Sequence, residues 1–125
     1  MKLSPAPEAP DNWEVQLRKG GLELAILATL WGGRRYGLEI LQHLESGSDL
    51  IISEGTIYPL LNRMKASGWL RSEWVESGAG HPRKYYSLTS AGRQRVVKME
   101  GIWSRFAESM IMLLRPIAKE SRNHA

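Results

Sequence analysis

The sequence predicts a mainly α-helical fold with one small β-hairpin and a long C-terminal helix. Two segments rich in Trp, Tyr and Val, at residues 69–76 and 83–88, flank a connector of turn-forming residues, a pattern typical of a hairpin. After them, apolar residues repeat in heptads for three repeats, which favours one long helix. The length of 125 residues, with 42% hydrophobic and 24% charged residues, fits a single globular domain.

The composition excludes several classes of protein. The chain has no cysteine, so a disulfide framework, a thiolate zinc site and a cysteine nucleophile are excluded. The histidines lack metal-ligand spacing, and no Ser/His/Asp arrangement or glycine-rich phosphate loop is visible, so we expect no metal, no cofactor and no catalytic site. Because no apolar run reaches the roughly 18 residues that a membrane span needs, we expect a cytoplasmic protein without a membrane partner.

The first part of the chain predicts a tail, two helices and a short strand. Residues 1–14, rich in proline and poor in apolar side chains, favour a flexible tail. Residues 22–31 are dominated by Leu and Ala, which predicts a buried helix that opens near Gly20-Gly21. The leucine spacing of residues 36–45 predicts a second helix, and the β-prone run at residues 50–52 predicts a brief strand.

A third helix is predicted from Ser53, a residue type favoured at the N-cap, to Gly68. Steps of 100° per residue place Leu61, Met64 and Gly68 within about 40° of Ile57, so these four residues form the predicted buried face. Small, polar and cationic residues occupy the opposite side and its flanks: Gly55, Pro59, Asn62, Arg63 and Ala66, with Thr56, Tyr58 and Lys65 beside them.

The hairpin carries cations beside its tip and aromatic residues in its strands. Arg83 and Lys84 directly follow the glycine-containing connector at residues 77–82, which has the composition of a flexible tip. We expect Trp69 and Trp74 to belong to the hairpin core. Tyr85 and Tyr86 are adjacent in the second strand. One should face inward and the other outward, because successive side chains alternate across a strand.

The final helix is predicted to begin after Thr89, which serves as its N-cap. Its apolar residues step by three and four along the chain: Val96, Met99, Trp103, Phe106, Met110, Leu113 and Ile117. Such a seam favours pairing with another helix, so residues 90–118 are the predicted dimerisation helix. Pro116 should limit the helix, and the polar residues 119–125 favour a second flexible tail.

Three helices followed by a hairpin are the order of a winged helix-turn-helix domain, here predicted for residues 15–89. In that fold the third helix lies in the DNA major groove and the hairpin, or wing, flanks it. Residues 53–95 contain seven Lys and Arg against three Glu, a net charge of +4, which suits double-stranded DNA as the partner. The alternative is a winged-helix module that binds an acidic protein and has no specific operator.

The chain resembles PadR-type transcriptional regulators over about residues 18–114. Six segments carry the resemblance: RKGGLELAIL (18–27), YGLEI (36–40), SEGTIYPLLNRM (53–64), SGWLRSEW (67–74), HPRKYYSLT (81–89) and AG (91–92). The single long C-terminal helix resembles the compact subgroup of that family. The resemblance implies a homodimeric repressor that binds a pseudo-palindromic, inverted-repeat operator and is often released by a small effector.

The predicted winged helix-turn-helix arrangement and the resemblance together indicate which residues contact DNA, and their chemistry suggests how. The predicted DNA-binding residues are Tyr36, Thr56, Tyr58, Pro59, Asn62, Arg63, Lys65, Arg83, Lys84 and Tyr85. Asn62 and Arg63 can read base edges, whereas Lys65 and the hydroxyls of Thr56 and Tyr58 suit phosphates. Two alternatives remain open: Arg63 could pair internally with Glu54 or another acid, and Tyr36 could be a core residue.

Trp103 lies in the middle of the seam, between Met99 and Phe106. If two helices face each other here, indole rings can line a cavity at the dimer axis, where a planar aromatic or phenolic effector would stack. This region resembles the site that binds planar drugs in some compact members of the family. The competing interpretation is a tightly packed dimer core without a ligand.

Overall fold

The structure, a computed structural model, describes residues 11–48, 50, 52–78 and 80–123. Within these residues four helices and one antiparallel sheet of three strands, in the order β1-β3-β2, are formed. The elements are α1 (Asn12–Thr29), β1 (Arg35–Tyr36), α2 (Gly37–Gly47), α3 (Glu54–Ala66), β2 (Leu70–Val75), β3 (Arg83–Leu88) and α4 (Ser90–Asn123). The predicted fold class, a winged helix-turn-helix followed by a long helix, is confirmed.

The first helix begins earlier than predicted. The Asp11 carboxylate accepts a hydrogen bond from the backbone N–H of Trp13 at 2.8 Å, which satisfies a donor at the helix start. The helix then continues through Gly20-Gly21, so the prediction that it opens there was wrong. Residues 12–14, predicted as tail, are helical; residues 1–10 of that predicted tail lie outside the described residues.

The short strand lies elsewhere than predicted. Leu50 and Ile52 lie in no strand, and Ile51 is outside the described residues. Both described residues instead pack against the core from the loop, so their apolar character reflects partial burial and not strand pairing. The short strand is β1, which pairs with β3 so that Tyr36 lies opposite Tyr85.

The core is formed by α1, α2, α3 and the inner face of the sheet, and it holds α3 in a fixed orientation. Ile57, Leu61 and Met64 are fully buried, which confirms three of the four residues predicted for this face. Gly68 is exposed, with φ at +83°; it lies beyond the helix end at Ala66 and turns the chain into β2. The polar side of α3 consequently faces outward.

The last helix begins as predicted and ends later. The Thr89 hydroxyl accepts the backbone N–H of Gly92 at 3.0 Å, so Thr89 is the N-cap. The helix continues through Pro116 to Asn123, so residues 119–123, predicted as tail, are helical; residues 124–125 lie outside the described part. One proline removes only one backbone donor from a helix of 34 residues. Across the described residues, no helix combines the length and apolar character needed to cross a membrane.

The apolar seam of α4 leaves the core after its first turns. Val96 is buried and Met99 packs against the core. Beyond them, Trp103 is 47% exposed and Leu113 is 71% exposed. In the single chain, most of the predicted seam is therefore an uncovered apolar surface.

Gly92 holds the start of α4 against the entry to β2, and this contact generates a stability prediction. A Cβ atom at Gly92 would lie 2.0 Å from the backbone carbonyl oxygen of Trp69, and a backbone atom cannot rotate away as a side chain can. We expect Gly92→Ala to lower the free energy of unfolding by about 1–3 kcal/mol, measured by urea unfolding followed by circular dichroism.

The matched control is Gly101→Ala, in the interior of the same helix. The nearest atom to its added Cβ is Arg105 Nη1, at an ordinary contact distance of 3.7 Å. We expect this variant to be stabilised by about 0.5–1 kcal/mol, because alanine loses less backbone freedom than glycine. Equal unfolding midpoints for the two variants would contradict the proposed role of the Gly92 contact.

Candidate nucleic-acid interface

Two hollows border the exposed face of α3. The wing-side hollow, of about 430 Å³, is lined by Tyr36, Gly37, Tyr58, Asn62, Trp74, Pro82, Arg83, Lys84 and Tyr86. The α1-side hollow, of about 480 Å³, is lined by Lys19, Leu22, Glu23, Gly55, Thr56, Pro59, Leu60 and Arg63. The predicted DNA-binding residues of α3 are thus divided: Tyr58 and Asn62 face the wing, whereas Thr56, Pro59 and Arg63 face α1.

The wing-side hollow combines a cation with exposed aromatic surface. Lys84 is half-buried, and its Nζ lies 5.8 Å from the ring centroids of both Trp74 and Tyr86. Trp74 is 68% exposed, so its predicted place in the hairpin core was wrong. It shares a strand face with the buried Leu70 but lies farther along the hairpin, past the edge of the core. The signal that misled the prediction was its aromatic character alone.

Tyr58 is positioned by a glycine that sequence reasoning missed. Its ring lies so close to the first residue of α2 that a Cβ at Gly37 would be 2.6 Å from the Tyr58 hydroxyl and 2.8 Å from ring carbons. Gly37 is buried, whereas Tyr58 remains 42% exposed. The absence of a side chain at Gly37 therefore lets α3 pack close to the start of α2. The sequence feature that could have indicated this contact is the glycine that follows Tyr36 at the start of a predicted helix.

Tyr86, the inward-facing tyrosine of β3, is only 4% exposed. Burial raises the pKa of its phenol above the ordinary value of 10.0, and the nearby Tyr58 phenol raises it further. Its ring is consequently a neutral wall between the wing and α3. The expected alternation is confirmed, because Tyr85 is half-buried on the other face of the strand.

A second group of aromatic and cationic side chains lies on the outer face of the sheet. Tyr36 and Tyr85 contact edge to face, with ring centroids 5.4 Å apart. The guanidinium of Arg83 lies 4.6 Å from the Tyr36 ring, and that of Arg34 lies 4.7 Å from the Tyr85 ring. Arg34 also pairs with Glu73 at 2.7 Å. Tyr36 is therefore half-buried in this cluster and is not a fully enclosed core residue.

On the α1 side, Arg63 forms an ion pair with an acidic residue. Its Nη2 donates a hydrogen bond to Oε1 of Glu23 on α1. The sequence left open an internal partner for Arg63, and the structure identifies Glu23 and not Glu54. Lys65, like Asn62, has an exposed side chain, but it lines neither hollow.

A third hollow, of about 460 Å³, lies between α1 and α4. It is mostly apolar and is lined by Gln16, Leu17, Gly20, Gly21, Leu24, Arg95, Met99, Ile102, Trp103 and Phe106. The structure therefore brings together the three predicted effector residues, with the Trp103 and Phe106 rings 6.1 Å apart. Met110, Leu113 and Ile117 lie outside this hollow, farther along α4.

The chain matches known proteins over most of its length. The sequence profile of the transcriptional regulator PadR-like family matches residues 26–98. A curated relative, an uncharacterised protein of Lysinibacillus sphaericus, is 27% identical over 92 residues, covering 72% of this chain and 84% of the relative.

Among solved structures, a PadR-like transcription factor from Bacteroides fragilis is 42% identical, with a TM-score of 0.68, covering 82% of this chain and 99% of that chain. A PadR family regulator from Eggerthella lenta is 31% identical, with a TM-score of 0.73 and coverages of 82% and 88%. A PadR-like regulator from Bacillus cereus is 32% identical, with a TM-score of 0.72 and coverages of 79% and 96%. The chain therefore belongs to the PadR-like family of transcriptional regulators.

Proposed function

We propose that the protein is a homodimeric repressor that binds an inverted-repeat operator and is released by a small planar aromatic or phenolic effector. The observation that carries the DNA-binding part is the wing-side hollow, where cations of the wing border the exposed face of a helix whose other face is fully buried. In this arrangement α3 enters the major groove and the wing lies beside it.

The α3 residues have distinct roles in this proposal. Asn62 presents an amide that can both donate to and accept from a base edge. Tyr58, fixed against Gly37, and the exposed Lys65 contact the phosphates that flank the groove. Thr56, whose hydroxyl lies 3.1 Å from that of Ser53 at the helix start, contacts a phosphate on the other side.

The wing supplies cations that aromatic rings hold in place. Arg83 stacks on Tyr36, and Lys84 lies beside Trp74, so each loses less side-chain freedom when it meets a phosphate. A stacked guanidinium still directs its N–H groups outward in its own plane. The exposed indole of Trp74 adds an apolar surface for a deoxyribose.

A Lys84→Ala variant tests the wing. Selection from random duplexes should yield an operator for the wild type, and Lys84→Ala should bind that operator and unrelated duplexes more weakly by similar factors. Because one phosphate contact is lost, the slope of log affinity against log salt, which is negative, should become shallower by about one. Fluorescence anisotropy at several salt concentrations measures both quantities.

Lys119→Ala, which removes the same charge from the far end of α4, is the control and should change neither quantity. Equal effects of the two variants would exclude the wing contact. A wild type that binds no duplex at low salt would favour the alternative, a module that recognises an acidic protein.

A second copy of the chain is the proposed partner of the α4 seam. Phe106, Leu113 and Ile117 are each more than half exposed on one side of this helix, and their heptad spacing suits a partner helix. In such a dimer each copy contributes one α3 helix. Half-sites about 34 Å apart, one helical turn of DNA, are the geometric requirement.

Leu113→Glu tests this seam. Sedimentation should give a dimer for the wild type and a smaller species for the variant, because pairing would bury the new carboxylate. Met112→Glu is matched, since Met112 is 68% exposed, close to the 71% of Leu113, and points about 100° away from the seam. A wild type that sediments as a monomer would contradict the proposed dimer.

The hollow between α1 and α4 is the proposed effector site. Trp103 and Phe106 offer ring faces, and the unbranched Met99 side chain adapts to varied shapes. An effector that favours a different separation of the two DNA-binding domains would weaken operator binding by its differential affinity for the two states.

Tryptophan fluorescence tests the effector site. Titration with proflavine, a planar aromatic dye, should quench the wild-type emission with saturation, and Trp103→Ala should lose most of that quenching because the stacking partner is gone. Quenching that is identical in the two proteins, or absent from the wild type with proflavine and with phenolic acids alike, would favour the packed seam without a ligand.

A further inference from the structure

The ion pair between Glu23 and Arg63 joins α1 to the edge of the helix proposed to read DNA, and the inference drawn from it rests on the proposed function. We propose that Glu23 competes with DNA phosphates for Arg63 and so lowers the affinity of the protein for duplex DNA of any sequence. Glu23 is then an affinity-determining residue, although its own side chain carries the same charge sign as DNA.

The position of the pair supports competition. Arg63 shares the α1-side hollow with Thr56 and Pro59, which belong to the exposed face of α3. Its side chain is 61% exposed, whereas that of Glu23 is 28% exposed. The carboxylate therefore lies at the margin of the surface on which a duplex would sit, and the guanidinium belongs to the more exposed side chain of the pair.

The ion pair is weak enough for a DNA phosphate to replace the Glu23 carboxylate. An ion pair this exposed contributes little to stability, because water and salt screen it. A phosphate can therefore replace the carboxylate at small cost. Glu23, once its partner has turned to the phosphate, remains beside a polyanion and repels it. The small cost of breaking the ion pair and the repulsion by the freed carboxylate both weaken binding to any duplex, whatever its sequence.

A purely structural role would have a different signature. If the pair served only to join α1 to α3, its loss would lower stability and leave the affinity for DNA unchanged. If Glu23 instead oriented Arg63 productively, its neutralisation would weaken DNA binding. Competition alone predicts that removing a carboxylate from the protein tightens its binding to duplex DNA without dependence on sequence.

The probe for this test is a fluorescein-labelled duplex of about 30 base pairs with random sequence, long enough to span two half-sites. Anisotropy titrations at about 50 and 200 mM salt compare the wild type with Glu23→Gln. We expect Glu23→Gln to bind about fivefold more tightly, and its salt slope to steepen by up to about one as Arg63 is freed for a phosphate. The gain should shrink by at least half in an Arg63→Ala background, where only repulsion by Glu23 remains to be removed.

Glu14→Gln is the matched control, because Glu14 lies on the same helix and pairs with Arg18 at 2.7 Å. It produces the same change in net charge without touching α3. Equal affinities of the Glu23 and Glu14 variants, or weaker binding by Glu23→Gln, would overturn the inference while leaving DNA binding intact. A wild type that ignores the duplex at low salt would instead overturn the proposed function.

Discussion

The fully buried face of α3 is the constraint on which the candidate interface depends. Ile57, Leu61 and Met64 have no exposed surface, so α3 cannot rotate about its axis without withdrawing apolar area from the core. A rotation of one residue step, about 100°, in the direction that buries Tyr58 would expose Ile57 and Met64. Because the rotation is fixed, one flank of the outward face meets the wing and the other meets α1. The chemistry of each flank then follows from its neighbours: aromatic and cationic side chains on the wing side, and Lys19 and Glu23 on the α1 side.

The periodicity of the chain was sufficient to predict the helices whose buried face is marked by regularly spaced apolar residues. The buried face of α3 and the Thr89 cap are local properties, readable within a few residues. The early start of α1 was missed because Gly20-Gly21 resembled a helix break. Helical propensity is a weak preference, and packing of the following turns against the core overrides it.

Contacts between distant parts of the chain could not be predicted from local pattern. The pairing of Arg63 with Glu23 joins residues 40 positions apart, and the two-residue strand β1 exists only because β3 lies beside it. The exposure of Trp74 likewise depends on where the core ends along the hairpin. The aromatic character of Trp74 indicated a side chain suited to burial. How far the core extends along the hairpin, however, is a property of the folded molecule.

The junction between β3 and α4 has a consequence for the proposed repression. Thr89 alone separates the strand from the helix, and its hydroxyl donates to the Gly68 carbonyl at 2.6 Å while Gly92 touches the Trp69 backbone. Arg95 also stacks on the Trp69 ring at 4.8 Å. With no flexible linker, a displacement of α4 at the seam has to move the wing and the end of α3 as one body. In the proposed dimer, an effector near Trp103 therefore needs only to change the crossing of two helices to change the separation of the two DNA-binding faces.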